Sequence, residues 1–253
     1  DLIWFPTGGG KTEAYLGLLA FTILHRRYKD PNDAGVTSIM RYTLRLLTAD
    51  QFRRSAALIC ALDYIRENKT LSIELGEKQI SLGLWIGGEA SPKTHKEAKR
   101  WMSNPRQLDN DGNYRFILNE CPWCKSNLSQ PEHKAYKKFK NKVVIQCPDK
   151  NCNFNETIPV YIWEESVFEE KPSLILATVD NFAKLVWYED ALKVFSNEEY
   201  SPPDLIIQDE LHLISGPLGS MVGLYENVVL KLLSTNDCSP KIVGASATLT
   251  FSD

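Results

Sequence analysis

The chain has 253 residues, 43% of them apolar and 24% charged, with a formal net charge of −3. Such a composition suits a globular protein with a real core. It excludes a disordered or fibrous chain and gives no global positive field for nucleic acid.

Residues 1–5 read as a short buried strand running into Pro6-Thr7-Gly8-Gly9-Gly10-Lys11-Thr12. Apolar residues (Ala14, Leu18, Leu19, Ile23) then recur at helical spacing over 12–28, and the turn formers of 29–35 end that helix. The pattern predicts a strand at 36–41, a helix at 48–68, and a hairpin or two strands over 71–86. From 89 to 172 the rhythm fails; this stretch holds a short basic helix (91–102), a polar loop and four cysteines. Regular elements resume as a strand at 174–178, a helix over 179–194, a strand at 205–208, a helix at 220–233 and a strand at 241–245. Alternating strands and helices predict a mainly parallel, doubly wound α/β sheet. The expected organisation is one P-loop domain, residues 1–88 and 173–253, interrupted by an inserted module at 89–172.

No apolar run is long enough for a membrane-spanning helix, and no cleavable secretory signal opens the chain, so no membrane partner is expected. With six cysteines, this points to metal or free thiols in a reducing, cytoplasmic compartment. Because the chain begins almost on its glycine run, with nothing upstream to hold a base, a longer protein is expected.

Glycines suit a phosphate loop because the backbone must curl until successive N–H groups face an anion, and a Cβ obstructs that approach. Thr7, Gly8, Gly9 and Gly10 would cradle the phosphates, helped by the positive end of the following helix. Lys11 would neutralise the outer phosphates, and Thr12 would place its hydroxyl on magnesium. The strict pattern asks for glycine where this chain has Phe5. A second apolar strand runs into Asp209-Glu210-Leu211-His212. There Asp209 is the expected magnesium ligand, and Glu210 the base that orients an attacking water. Lys11, Asp209 and Glu210 are expected to converge at neighbouring strand tips.

These residues, with Ser246-Ala247-Thr248 after the last strand, resemble the first RecA-like lobe of superfamily 2 helicases. Motif I is Pro6 to Thr12, motif II Asp209 to His212, and motif III Ser246 to Thr248. The stretch from Tyr42 to Gln51 looks like motif Ia and that from Leu176 to Phe182 like motif Ib. More narrowly, Ile207-Gln208-Asp209-Glu210-Leu211-His212-Leu213-Ile214-Ser215-Gly216-Pro217-Leu218-Gly219 looks like the helicase subunit of the DISARM anti-phage defence systems.

The resemblance implies an ATP-dependent DNA helicase or translocase using ATP and Mg²⁺. Nucleic acid would cross Arg45, Gln51 and Thr178. His212, Ser246 and Thr248 would couple nucleotide state to the rest of the lobe. It also implies a second RecA-like lobe carrying motifs IV to VI and the arginine finger, and a partner subunit of the defence system. The isolated piece should then hydrolyse ATP feebly. An RNA-directed helicase and a nucleotide-clamped binding platform without motor activity remain open alternatives.

Cys121-Pro122-Trp123-Cys124 and Cys147-Pro148-Asp149-Lys150-Asn151-Cys152 form two close pairs. Cysteines two to four residues apart bend into knuckles, and two knuckles close a four-sulfur zinc site. Free thiols or two disulfides are the alternatives; a reducing compartment favours structural zinc in a zinc-ribbon-like module. Cys60 and Cys238 lie outside the pattern, and His133 is not needed for it. Between the knuckles, lysines interleave with Tyr136 and Phe139, which suits either a nucleic-acid strand or a solvated ribbon.

Overall fold

The structure is a computed structural model that describes residues 1–4, 9–42, 48–86, 91–104, 108–183, 199–214, 216–234 and 239–246. The strands are β1 (Leu2–Trp4), β2 (Ser38–Tyr42), β3 (Leu82–Trp85), β4 (Tyr136–Phe139), β5 (Lys142–Ile145), β6 (Val160–Tyr161), β7 (Leu174–Thr178), β8 (Leu205–Gln208) and β9 (Lys241–Ser246). The helices are α1 (Lys11–Lys29), α2 (Ala49–Glu67), α3 (His95–Met102), α4 (Glu164–Glu170), α5 (Val179–Ala183) and α6 (Gly216–Leu233). Among the described residues no helix is long and apolar enough to cross a membrane.

Seven strands form one sheet in the order β1-β9-β8-β2-β7-β3-β6, every pair parallel. The α/β class expected from the alternation is thus observed. Strands β2, β7 and β8 are buried at every position, as strands covered on both faces must be. Their side chains divide with period two. Met40, Leu174, Leu176, Leu205 and Ile207 join Tyr15, Leu19 and Ile23 of α1 and Phe52, Ala56 and Ile59 of α2. Ile39, Ile175 and Ile206 join Val167 of α4 and Val229 and Leu233 of α6. Because all strands run one way, their C-terminal ends line one edge of the sheet, where ligands of open α/β sheets bind.

The hairpin or strand pair expected over 71–86 is absent; only Leu82–Trp85 is strand. The backbone upstream is spent on side chains instead. Leu75 O accepts from Arg27 Nη1 at 3.2 Å, Glu77 O from Arg66 Nη1 at 3.0 Å, and Ile80 N donates to Asp63 Oδ1 at 2.8 Å. Gly76 sits at φ 78° with its missing Cβ pointing at the Pro31 carbonyl, so the segment lies against the α1 turn. The helix expected over 179–194 is seen as Val179–Ala183, and the remainder lies outside the described residues.

The cysteine-bearing segment contributes the antiparallel hairpin β4–β5 and a ring cluster of Trp101, Phe116, Tyr136 and Trp163. Its apolar side chains are continuous with those under the main sheet. Strand β6 and helix α4 fall within 89–172, yet β6 is the edge strand of the main sheet and Val167 of α4 packs on the sheet's face.

Within β2, Arg41 is buried and paired with Glu226 of α6 through two hydrogen bonds of 2.7 and 3.0 Å. The planar fork matches the carboxylate, and this pair ties the middle of the sheet to the outer helix. Removing one partner strands a buried charge. Glu226→Leu should therefore destabilise by about 3 kcal/mol, while the double change with Arg41→Met should recover most of that loss. Equilibrium urea unfolding of the three variants checks it.

Candidate functional site

Helix α1 starts at Lys11, and Gly10 before it adopts φ 81°, a conformation that favours glycine. Gly10, the N-cap residue, has no side chain to cap the helix. Helix α2 is the contrast: Thr48 and Gln51 close a full capping box over its first turn. An uncapped N-terminus after a glycine turn keeps its orphan amides available to an anion, which is the fit a phosphate requires.

Lys11 Nζ donates to Glu210 Oε1 at 2.7 Å and lies 3.1 Å from Asp209 Oδ1. The glycine loop and the acidic strand are therefore brought together across a sequence separation of 199 residues. The tips are not neighbours, contrary to expectation, because β9 lies between β1 and β8. Lys11 spans the gap from the helix side. Partial burial opposes its charge, but the hydrogen bonds to Glu210 and Asp209 outweigh that and raise its pKa above the ordinary lysine value.

Asp209 is buried at the end of β8; its Oδ1 accepts the Glu210 amide at 2.9 Å and its Oδ2 accepts Gln51 Nε2 at 3.3 Å. Glu210 is held at φ 49° and ψ 48°, so the chain turns sharply and aims consecutive carboxylates at one lysine. His212 Nδ1 lies 3.3 Å from Glu210 Oε2 and 3.0 Å from Ser246 Oγ at the end of β9. The expected link from acidic strand to last strand thus exists as a contact. Thr12 Oγ1 accepts the Tyr15 hydroxyl at 3.2 Å. Thr7, Gly8, Arg45, Thr248 and Cys238 lie outside the described residues.

Two residues expected on a nucleic-acid path are placed otherwise. Gln51 spends its amide on the α2 cap and on Asp209, so it belongs to the wall of the carboxylate site. Thr178 is 1% exposed at the end of β7, with a hydroxyl that has no hydrogen-bond partner among the described residues; a strand tip packed this deeply offers no surface to a phosphate. Sequence reasoning missed Gln51's role, although Thr48-Ala49-Asp50-Gln51 spells a capping box that fixes where its amide can reach.

The second site is the cysteine cluster. The Sγ atoms of Cys121, Cys124, Cys147 and Cys152 all lie within 4.8 Å of one another, with Cys124–Cys147 at 3.3 Å and Cys121–Cys152 at 3.9 Å. A tetrahedral zinc with Zn–S near 2.3 Å needs sulfurs about 3.8 Å apart, so the cluster fits that ion. The first knuckle turns through Lys125 N to Cys121 O at 3.0 Å, and Phe154 N donates to Cys152 Sγ at 3.5 Å. Burial pushes Cys147 up to about 12, a penalty that a bound cation removes by deprotonating the thiol outright. Trp123, between the first two cysteines, stacks on Tyr64 of α2 at 5.0 Å. Purified protein should carry about one zinc per chain, and Cys121→Ser with Cys147→Ser should abolish it. Elemental analysis showing far less metal in the parent protein would remove the zinc assignment.

No protein-family profile matches the chain. It is 34% identical, over 98% of its length, to the DISARM protein DrmA of Bacillus paralicheniformis, of which it covers 26%. The chain thus spans about a quarter of the curated relative it matches. Among solved structures, Mycobacterium smegmatis helicase Lhr bound to ssDNA and AMP-PNP aligns over 98% of this chain and 21% of its own, at a TM-score of 0.50 and 16% identity. The helicase MrfA aligns over 97% of this chain and 30% of its own at a TM-score of 0.32 and 11% identity, too low to carry an argument. The resemblance read from the motifs is borne out: along nearly its whole length the chain is similar to the DISARM protein DrmA, on a fold it shares with the helicase Lhr.

Proposed function

We propose that this chain is the ATP-binding lobe of a helicase-type motor that acts on DNA, working in the cytoplasm within an anti-phage defence system. The observation that carries this reading is the convergence of Lys11 on Asp209 and Glu210 beside an uncapped helix N-terminus. The likeness to DrmA supplies the defence setting, and Lhr's bound ssDNA and AMP-PNP supply the substrate class.

In this reading the amides of Gly9 and Gly10 and the start of α1 hold phosphate charge, together with Thr7 and Gly8. Lys11, now between the two carboxylates, would meet the outer phosphates. Thr12 and Asp209 would hold magnesium, and Gln51 fixes one Asp209 oxygen so that the other faces the site. Bound Mg·ATP supplies the γ-phosphoryl group and the metal charge that polarises it. Glu210 would accept the proton of the attacking water, and His212 and Ser246, which link Glu210 to the end of β9, would hold the carboxylate's position. The cysteine cluster, closed by four ligands, has no open position and serves structure. Residues 1–88 and 173–253, together with β6 and α4, would form the lobe, and the rest of 89–172 a zinc module anchored in it. A second RecA-like lobe would complete the site, and a partner subunit of the defence system would join the full protein.

Glu210→Gln in the full-length protein should cut ATP turnover by about 10²-fold or more while leaving ATP binding intact, because the general base alone is lost. Lys11→Ala should weaken binding and turnover together. Steady-state ATPase assays with nucleotide-binding measurements check both. Full turnover in Glu210→Gln would end the motor reading.

A further inference from the structure

Most buried or half-buried cations of the lobe have an acidic partner: Arg26 with Asp204, Arg41 with Glu226, Arg66 with Asp63 and Lys171 with Glu199. One surface instead gathers several cations without an acidic partner. Among the described residues none of Lys96, Lys99, Arg100, Lys137, Lys138 and Lys140 forms an ion pair. They come from two elements that the structure joins. Lys99 Nζ donates to the Lys140 carbonyl at 2.8 Å, and Lys138 Nζ to Ser103 Oγ at 2.8 Å, so α3 lies along the β4–β5 hairpin.

Helix α3 buries His95 and Ala98 and shows Lys96, Lys99 and Arg100 on its other side, a one-turn cationic stripe. The hairpin adds Lys137 and Lys140, with Phe139 between them 61% exposed and Lys140 Nζ 5.6 Å from its ring centroid. Lys140 occupies the first position of a two-residue turn at φ 49°, where turn chemistry favours glycine or asparagine. Lys140 turns the hairpin, but a ring 61% exposed on it buries little and does not serve the fold. Tyr136, the other aromatic of the run, does serve it: it is buried among rings and donates its hydroxyl to the Leu118 carbonyl. Lys142 is likewise spent, held by Glu169 and Glu170.

We infer that α3 and the β4–β5 turn form a docking surface for a single nucleic-acid strand, separate from the nucleotide site. The lysines and Arg100 would take backbone phosphates, and Phe139 would stack on an unpaired base. Charge alone would also suit a duplex, but an exposed ring finds a base face only where bases are unstacked. In a chain of net charge −3, such a local surface is what an anionic strand needs. The inference rests on the nucleic-acid-directed reading above and extends it to the cysteine-bearing segment.

The test uses the full-length protein without nucleotide, fluorescent oligo(dT) and oligo(U), a duplex of equal length, and poly-glutamate as competitor. Lys137→Glu/Lys138→Glu/Lys140→Glu should weaken strand binding at least tenfold and reduce the salt slope by about 2, at roughly 0.7 per lost phosphate contact. Phe139→Ala should weaken strand binding several-fold with the slope unchanged and leave duplex binding alone. Comparison of oligo(dT) with oligo(U) shows which sugar the surface accepts. Unchanged zinc content and melting temperature confirm that the variants are folded. Variants that bind strands like the parent overturn this inference alone. Equal losses for poly-glutamate and strand also overturn it, since the patch would then be an unspecific anion surface. A parent that binds no nucleic acid removes the motor reading as well.

Discussion

A lysine ammonium shared by two consecutive carboxylates sets what the rest of the fold must accomplish. Asp209 is almost wholly buried, and a carboxylate out of water is costly unless every oxygen is answered. Lys11 and the Glu210 amide answer one oxygen, and Gln51 the other. None of these partners is near Asp209 in sequence except Glu210. The lysine must be delivered by α1, and the amide by the first turn of α2. Both helices are fixed on the same sheet face by Tyr15, Leu19, Phe52, Ala56 and Ile59. The core thus serves chemistry by holding two helix starts over one strand end.

The parallel sheet makes that delivery possible. Its strands end along one edge, so residues at the tips of β8 and β9 meet although they leave the sheet at different points of the chain. The intervening β9 is useful. Its terminal Ser246 meets His212, so the strand that lies between β1 and β8 reaches the acidic side of the site. The sharp backbone at Glu210 completes the arrangement, since an extended chain there would send consecutive carboxylates to opposite faces.

What was legible in the sequence was local. Short apolar runs such as Leu205–Ile207 and Leu174–Ala177 mark buried strands whatever their neighbours are, and the glycine before α1 and the acidic pair after β8 mark themselves by residue type alone. The cysteine spacing likewise fixes its own knuckles. What failed depended on partners far along the chain. Residues 71–81 alternate like a strand, yet Arg27, Arg66 and Asp63 claim their backbone groups. Thr178 reads as a surface hydroxyl until the packing of β2 and β3 on both sides buries it. Gln51 reads as a contact to an external strand until Asp209 is found within reach.

Helix α2 gives the cysteine-bearing segment a reason to be where it is. Its first turn carries Gln51 at the carboxylate site, and about 20 Å further along the same rod Tyr64 stacks on Trp123 of the first cysteine knuckle. Between them, Cys60 is fully buried on the helix face that meets the knuckle's apolar residues, and Arg53 lies 3.7 Å from Glu120 just before Cys121. A helix of 19 residues held at its start by a capping box and packed along its length does not bend easily. The knuckle therefore acts as the far bearing of a helix whose near end positions Asp209's partner. A metal ion held by these four cysteines would suit that task, because it would fix the backbone of four separated residues without needing a large core of its own.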